Sequence, residues 1–145
     1  MIKIESADTS IFDEVSGFFA TQAEELGIPL KNVSRAQYYG AFINHHISIY
    51  TVRDDGSIVG YAVMWLFKDT KTKMQEAMND TLYLVPAYRG RNIALRLVKF
   101  IESDLRERGV EKIYFGFRSR HDQARLMGFL GYEESDIIYS KILGD

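Results

Sequence analysis

The stretch Leu82-Tyr83-Leu84-Val85-Pro86-Ala87-Tyr88-Arg89-Gly90-Arg91-Asn92-Ile93-Ala94 constrains this chain more than any other. Strand-like residues run from Thr81 to Val85, Pro86 removes the donor that would continue the ladder, and a glycine-containing turn leads straight into a helix. Ile93, Leu97, Ile101 and Leu105 then recur at helical spacing, with Ala94 and Val98 beside them, until Gly109 supplies a C-terminal cap. The first N–H groups of such a helix, around Gly90 to Ala94, have no carbonyl partners within it. The helix dipole adds about half a positive charge at the same point. Arg89 and Arg91 place full charges at the rim. The pattern is that of a cradle for a diphosphate-sized anion, and its plain alternative is a strand-to-helix turn with no ligand.

The rest of the chain supplies the scaffold. Ile2 and Ile4 alternate with polar neighbours as a short strand. Thr9 and Ser10 can cap a helix that carries Ile11, Val15, Phe18, Phe19 and Leu26 and stops at Gly27 and Pro29. A second helix spans Arg35 to Asn44, and strands at Ile47 to Val52 and Ile58 to Phe67 meet at an Asp55-Gly56 turn. Lys68 to Lys73 reads as a loop, and Met74 to Met78 fits helix or strand. A strand at Lys112 to Phe117, a helix at Asp122 to Leu130 and a strand at Ile137 to Leu143 complete the order βααβββαβαβ. That order predicts one α/β domain over residues 1–145, a mixed and mostly antiparallel sheet flanked by helices.

Composition narrows the chemistry. With no cysteine among 145 residues, disulfide scaffolds, thiolate zinc sites and cysteine catalysis are excluded. No apolar run approaches the roughly 18 residues of a membrane span, and the first ten residues lack a signal-peptide pattern, so a soluble, cytoplasmic protein is expected. Residues 86–125 hold 10 Lys/Arg against 5 Asp/Glu, between two acidic stretches, which suggests an anionic ligand held by the middle of the chain. The helix after Gly90 alternates basic and acidic residues outward, so no continuous basic stripe for nucleic acid forms. His45 and His46 are adjacent and point apart, which argues against a metal site. Tyr38, Tyr39, Phe42, Trp65 and Phe67 are assigned to the core or an acceptor cleft, with the core preferred.

The run Arg89-Gly90-Arg91-Asn92-Ile93-Ala94, led in by Val85-Pro86-Ala87-Tyr88, resembles the signature of the GNAT superfamily of acyl-CoA-dependent N-acyltransferases. Leu130-Gly131-Tyr132 is similar to that family's ending after the next helix. The closing Tyr139-Ser140-Lys141-Ile142-Leu143 is similar to small acetyltransferase-like proteins of bacteriophages. The resemblance implies acetyl-CoA as co-substrate, its pantetheine arm along Tyr83, Leu84 and Val85 and its diphosphate on Arg89, Gly90, Arg91, Asn92, Ile93 and Ala94. Arg120, His121 and Arg125 are further cofactor-facing candidates. The reaction it implies is acetyl transfer to a primary amine of a small molecule or protein, by direct attack in a ternary complex. Asp80, ahead of Glu76, is the candidate base on the fourth strand. The acidic residues Asp13, Glu14, Glu24 and Glu25 favour a cationic acceptor, and the C-terminal strand offers a homodimer contact. Two departures stand out: the central glycine of the signature is Asn92, and Met127 occupies the position where many relatives carry an acidic tyrosine. They motivate the alternative of a GNAT-fold protein that binds CoA or a protein partner without turnover.

Overall fold

Runs rich in β-branched and aromatic residues build five strands into one mixed sheet, its central strands buried on both faces. In the computed structural model, which describes residues 1–14, 35–117 and 123–144, these are β1 (Ile2–Ser6), β2 (Ile47–Asp54), β3 (Ser57–Lys68), β4 (Gln75–Leu84) and β5 (Lys112–Tyr114). They lie side by side in that order. β1 to β4 are antiparallel neighbours, and β5 joins β4 in parallel. The β2–β3 hairpin turns through Asp55 at φ 49° and Gly56 at φ 91°, both left-handed, as a tight two-residue turn requires. Helices α1 (Ile11–Glu14), α2 (Arg35–Ile43), α3 (Ile93–Glu107) and α4 (Ala124–Phe129) complete the described elements.

Both faces of the sheet are covered. On one, Tyr50, Val52, Ala62, Met64 and Ala77 pack against the α3 row Ile93, Leu97, Ile101 and Leu105. The Tyr50 hydroxyl donates to Asp104 at 2.6 Å and so ties β2 to the same helix. On the other face, Ile47, Ile49, Tyr61, Val63 and Tyr83 meet Ile11 and Phe12 of α1, with Tyr38 and Phe42 of α2 packed against them. His45 and His46 close α2: His45 takes φ 61°, and their N–H groups return to the carbonyls of Phe42 and Ala41.

The structure settles one open segment, moves two boundaries and removes one strand. Gln75, Glu76 and Ala77 are strand, because Lys68, Phe67 and Leu66 of the long β3 supply pairing partners that override their helix propensity. α3 starts at Ile93 rather than near Gly90, after a 3₁₀ turn at Pro86–Tyr88. β5 stops at Tyr114 instead of Phe117, where a side chain takes over the pairing described below. Ile137 to Leu143 forms no strand. Tyr132 is anchored by the Phe115 ring and by Glu102, but the chain beyond it meets no ladder. Ile137, Ile138, Tyr139, Ile142 and Leu143 are 69% to 96% exposed. A β-rich sequence whose apolar side chains meet no packing surface need not make a strand. Within the predicted first helix, Val15, Phe18, Phe19 and Leu26 lie outside the described residues.

Candidate functional site

The turn after β4 has the backbone that its composition anticipates. Gly90 (φ 75°) and Asn92 (φ 61°, ψ 12°) both adopt the left-handed conformation, which glycine tolerates and asparagine accepts better than other side chains. Asn92 sits directly before α3, and its carbonyl receives the N–H of Arg96 at 3.1 Å. Its side chain makes no capping bond. Among the described residues, no hydrogen bond takes up the N–H groups of Gly90 to Leu95. These donors and the positive end of a 15-residue helix therefore face outward together.

Aromatic rings hold the two arginines at the rim. The Arg89 Nε–H donates to the Leu84 carbonyl at 2.8 Å, with its guanidinium 5.6 Å from the centre of the Tyr83 ring. Arg91 lies 5.0 Å from the centre of the Tyr88 ring. The Tyr88 hydroxyl in turn donates to Asp54 at 2.8 Å. That bond, followed by the N-terminal ammonium, holds the Asp54 carboxyl below the usual carboxylate range.

β4 leads from this turn along an open edge. β5 pairs with it only at Glu76, Ala77 and Met78. Past that point the strands part, and the Asn79 carboxamide spans the gap. Its Nδ2 donates to the Gly116 carbonyl at 3.0 Å, and its Oδ1 accepts the Gly116 N–H at 2.7 Å. On the other side of β4, the Val85 N–H donates to Val59 at 2.8 Å. Antiparallel alternation then turns the backbone of Tyr83 and Thr81 toward β3 and that of Leu82 and Leu84 toward the open edge. Of Tyr83, Leu84 and Val85, Leu84 alone presents its backbone there. Tyr83 instead buries its ring in the core.

Asp80 stands at a bulge on the same strand. Val63 pairs with Thr81 and Met64 with Asn79, so Asp80 has no partner in the register. Its carboxylate is exposed and accepts three bonds, from the Tyr38 hydroxyl at 2.8 Å, the Trp65 indole N–H at 2.9 Å and the Thr81 hydroxyl at 3.0 Å. Burial first, and then Asp80, pushes the Tyr38 phenol well above its ordinary value, so it remains a donor. Glu76 lies apart from this group, 3% exposed within the β5-paired segment, and the Tyr114 hydroxyl contacts its two oxygens at 3.1 and 3.2 Å. Trp65 (38% exposed), Phe67 (40%) and Tyr39 (41%) are not core residues. Trp65 and Phe67 lie where the bulge and the end of α2 leave the sheet face uncovered, Tyr39 packs edge-on against Phe12 at 5.5 Å, and Tyr38 and Phe42 pack against the core.

Of the further cofactor candidates, Arg120 and His121 lie outside the described residues. Arg125 is exposed in the first turn of α4, and Met127 lies on the same helix. Sequence reasoning missed Asn79 and the link from Trp65 to Asp80. A signal for both was present: consecutive Asn and Asp inside a strand are disfavoured, and mark a bulge or a break in pairing.

Residues 11–130 match the model of the Acetyltransferase (GNAT) family. An uncharacterized N-acetyltransferase of Mycobacterium tuberculosis is 27% identical over 94 residues, 65% of this chain and 57% of that protein. The match thus spans little more than half the length of that curated relative. Solved structures that share the fold include the following three. A predicted acetyltransferase from Clostridium acetobutylicum with acetyl-CoA is 15% identical, with a TM-score of 0.80 over 98% of this chain and 96% of that one. An aminoglycoside acetyltransferase from an uncultured soil sample, in complex with sisomicin, is 14% identical, with a TM-score of 0.79 over 99% and 97%. A ribosomal-protein-alanine N-acetyltransferase from Brucella melitensis is 17% identical, with a TM-score of 0.76 over 100% of both chains.

Proposed function

Because the chain belongs to the Acetyltransferase (GNAT) family, we propose that it transfers the acetyl group of acetyl-CoA to a primary amine by direct attack in a ternary complex, as a single catalytic domain over residues 1–145. The observation that carries this reading is the alignment of three features along one strand. The bulge at Asp80, the open backbone edge at Leu82 and Leu84, and the outward N–H groups after Gly90 follow one another toward α3. A thioester, an amide-bearing arm and a diphosphate occur in that order in acetyl-CoA. The Clostridium acetobutylicum relative, solved with acetyl-CoA on the same fold, supports the assignment.

In this reading the diphosphate is held by the N–H groups of Gly90 to Ala94, with Arg89 and Arg91 neutralising its charge. The amide-bearing arm pairs with the β4 edge at Leu82 and at the Leu84 N–H, the Leu84 carbonyl being held by Arg89. Asp80 takes a proton from the acceptor ammonium through water, because three of its roughly four lone-pair sites already accept protein donors. The freed amine adds to the thioester carbonyl carbon. As the tetrahedral intermediate collapses, the C–S bond breaks, the sulfur leaves as a thiolate, and the nitrogen releases its second proton to water to leave the neutral amide. The proton that thiolate takes up comes from water, since Met127 has none to give.

Calorimetric titration with acetyl-CoA, on the wild type and on an Arg89→Ala/Arg91→Ala double variant, tests the cradle. Micromolar binding that weakens at least about tenfold in the variant is expected, as two charge-assisted contacts to phosphate are lost. Thiol release with a panel of primary amines tests the transfer. No binding at millimolar ligand ends the reading. Binding without thiol release from any amine leaves a protein that holds CoA and does not turn it over.

A further inference from the structure

The surroundings of Asp80 carry information about the acceptor itself. The carboxylate is exposed, yet among the described residues no lysine, arginine or histidine pairs with it. Its protein partners are three neutral donors, from Tyr38, Trp65 and Thr81. The negative charge is therefore solvated and oriented but not cancelled, and one acceptor direction remains open. Two of the donors are also aromatic walls. The Tyr38 and Trp65 rings lie 6.5 Å apart at 37°, with the Trp65 N–H anchored on the carboxylate. Beyond Trp65 the same sheet face continues through Phe67 and through Met78, the cross-strand partner of Trp65. Trp65 and Phe67 keep 38% and 40% of their surface in solvent.

An uncancelled carboxylate attracts an ammonium ion through its charge, and the half-exposed Trp65 and Phe67 rings beside it add apolar surface. The apolar strip that starts at Trp65 then favours a hydrocarbon body attached to that ammonium over a polar one. We propose that Asp80, Tyr38 and Trp65 form the acceptor subsite for a primary ammonium carried on an aromatic or other apolar skeleton, whose body lies along Trp65, Phe67 and Met78. That the bound amine is an acetyl acceptor rests on the function proposed above. Its binding does not.

Trp65 is the single tryptophan of the chain, so emission under tryptophan-selective excitation, which spares the nine tyrosines, reports on this subsite. The full chain is titrated with 2-phenylethylamine, with the neutral 2-phenylethanol, and with spermidine, a cation lacking the apolar body. A saturable emission change with 2-phenylethylamine is expected, with affinity about tenfold or more above that of either comparison ligand. Asp80→Asn should abolish the amine preference while retaining a cooperative unfolding transition. The comparison of amine with alcohol needs no variant, so it decides the matter even where Asp80→Asn fails to fold. No saturable response to 2-phenylethylamine, an equal response to the alcohol, or a stronger response to spermidine overturns the proposal. Amine binding without acetyl transfer leaves the subsite standing and ends the acetyltransferase reading. Acetyl transfer to amines that leave Trp65 emission unchanged ends the subsite and leaves that reading intact.

Discussion

Asn92 shows how much one backbone conformation decides. At φ 61° it occupies the conformation that glycine adopts most easily, and it stands between the β4 turn and the first residue of α3. An alanine there would force a Cβ into a region that disfavours it by roughly 1–2 kcal/mol. Asn92→Ala should therefore lose about 1 kcal/mol in urea unfolding, while Asn92→Gly stays within about 0.5 kcal/mol of the parent. An alanine variant as stable as the parent would mean that the turn relaxes out of the left-handed conformation. The left-handed turn was legible from residue types alone, because Gly and Asn at this spacing before an amphipathic helix leave few other readings. The side-chain contacts were not. Arg89 folds back on Tyr83 and Leu84 through a geometry that only the finished β3–β4 pair creates.

Among the elements, β4 carries most of the chemistry, and it departs from regular pairing twice in succession. Asp80 bulges away from β3, and Asn79 replaces the ladder to β5 with its side chain. Both follow from short polar residues where a strand would prefer branched or aromatic ones. Removing the carboxamide leaves the Gly116 N–H and carbonyl to water. Asn79→Ala should cost roughly 1 kcal/mol for the two lost bonds and speed hydrogen exchange at the Gly116 amide about tenfold or more. Unchanged exchange there would show that another group holds the strands at that separation. The strands were readable because runs of β-branched and aromatic residues show in a short window. Their ends were not, since each depends on a partner distant in sequence: β4 starts where β3 still offers Lys68, and β5 stops where Asn79 intervenes.

Across the molecule, the sheet separates two tasks. One face is sealed by α3 through Ile93, Leu97, Ile101 and Leu105, which fixes the helix whose amino end presents the outward N–H groups. The other carries α1 and α2 and, past the end of α2, leaves Trp65 and Phe67 open beside Asp80. The amphipathic period of α3 made the sealed face readable from sequence. The open one is not: sequence leaves Trp65 and Phe67 between core and acceptor cleft and favours the core, because an apolar residue on a central strand carries no mark of where its covering helix ends. The unpaired segment from Ile137 to Leu143 makes the same point at chain scale: its residues are strand-forming in type, but they stay exposed and pair with nothing among the described residues. The separation has a measurable consequence. Leu97 is 1% exposed, and Leu97→Ala should cost about 2–5 kcal/mol through lost burial and the cavity left behind. Below its lowered unfolding temperature, the variant should keep the parent emission maximum, because Trp65 lies on the opposite face. Acetyl-CoA affinity, if α3 positions the diphosphate, should fall with loosened packing while the 2-phenylethylamine response persists. A shift in Trp65 emission in folded Leu97→Ala would show that the sheet transmits strain from one face to the other.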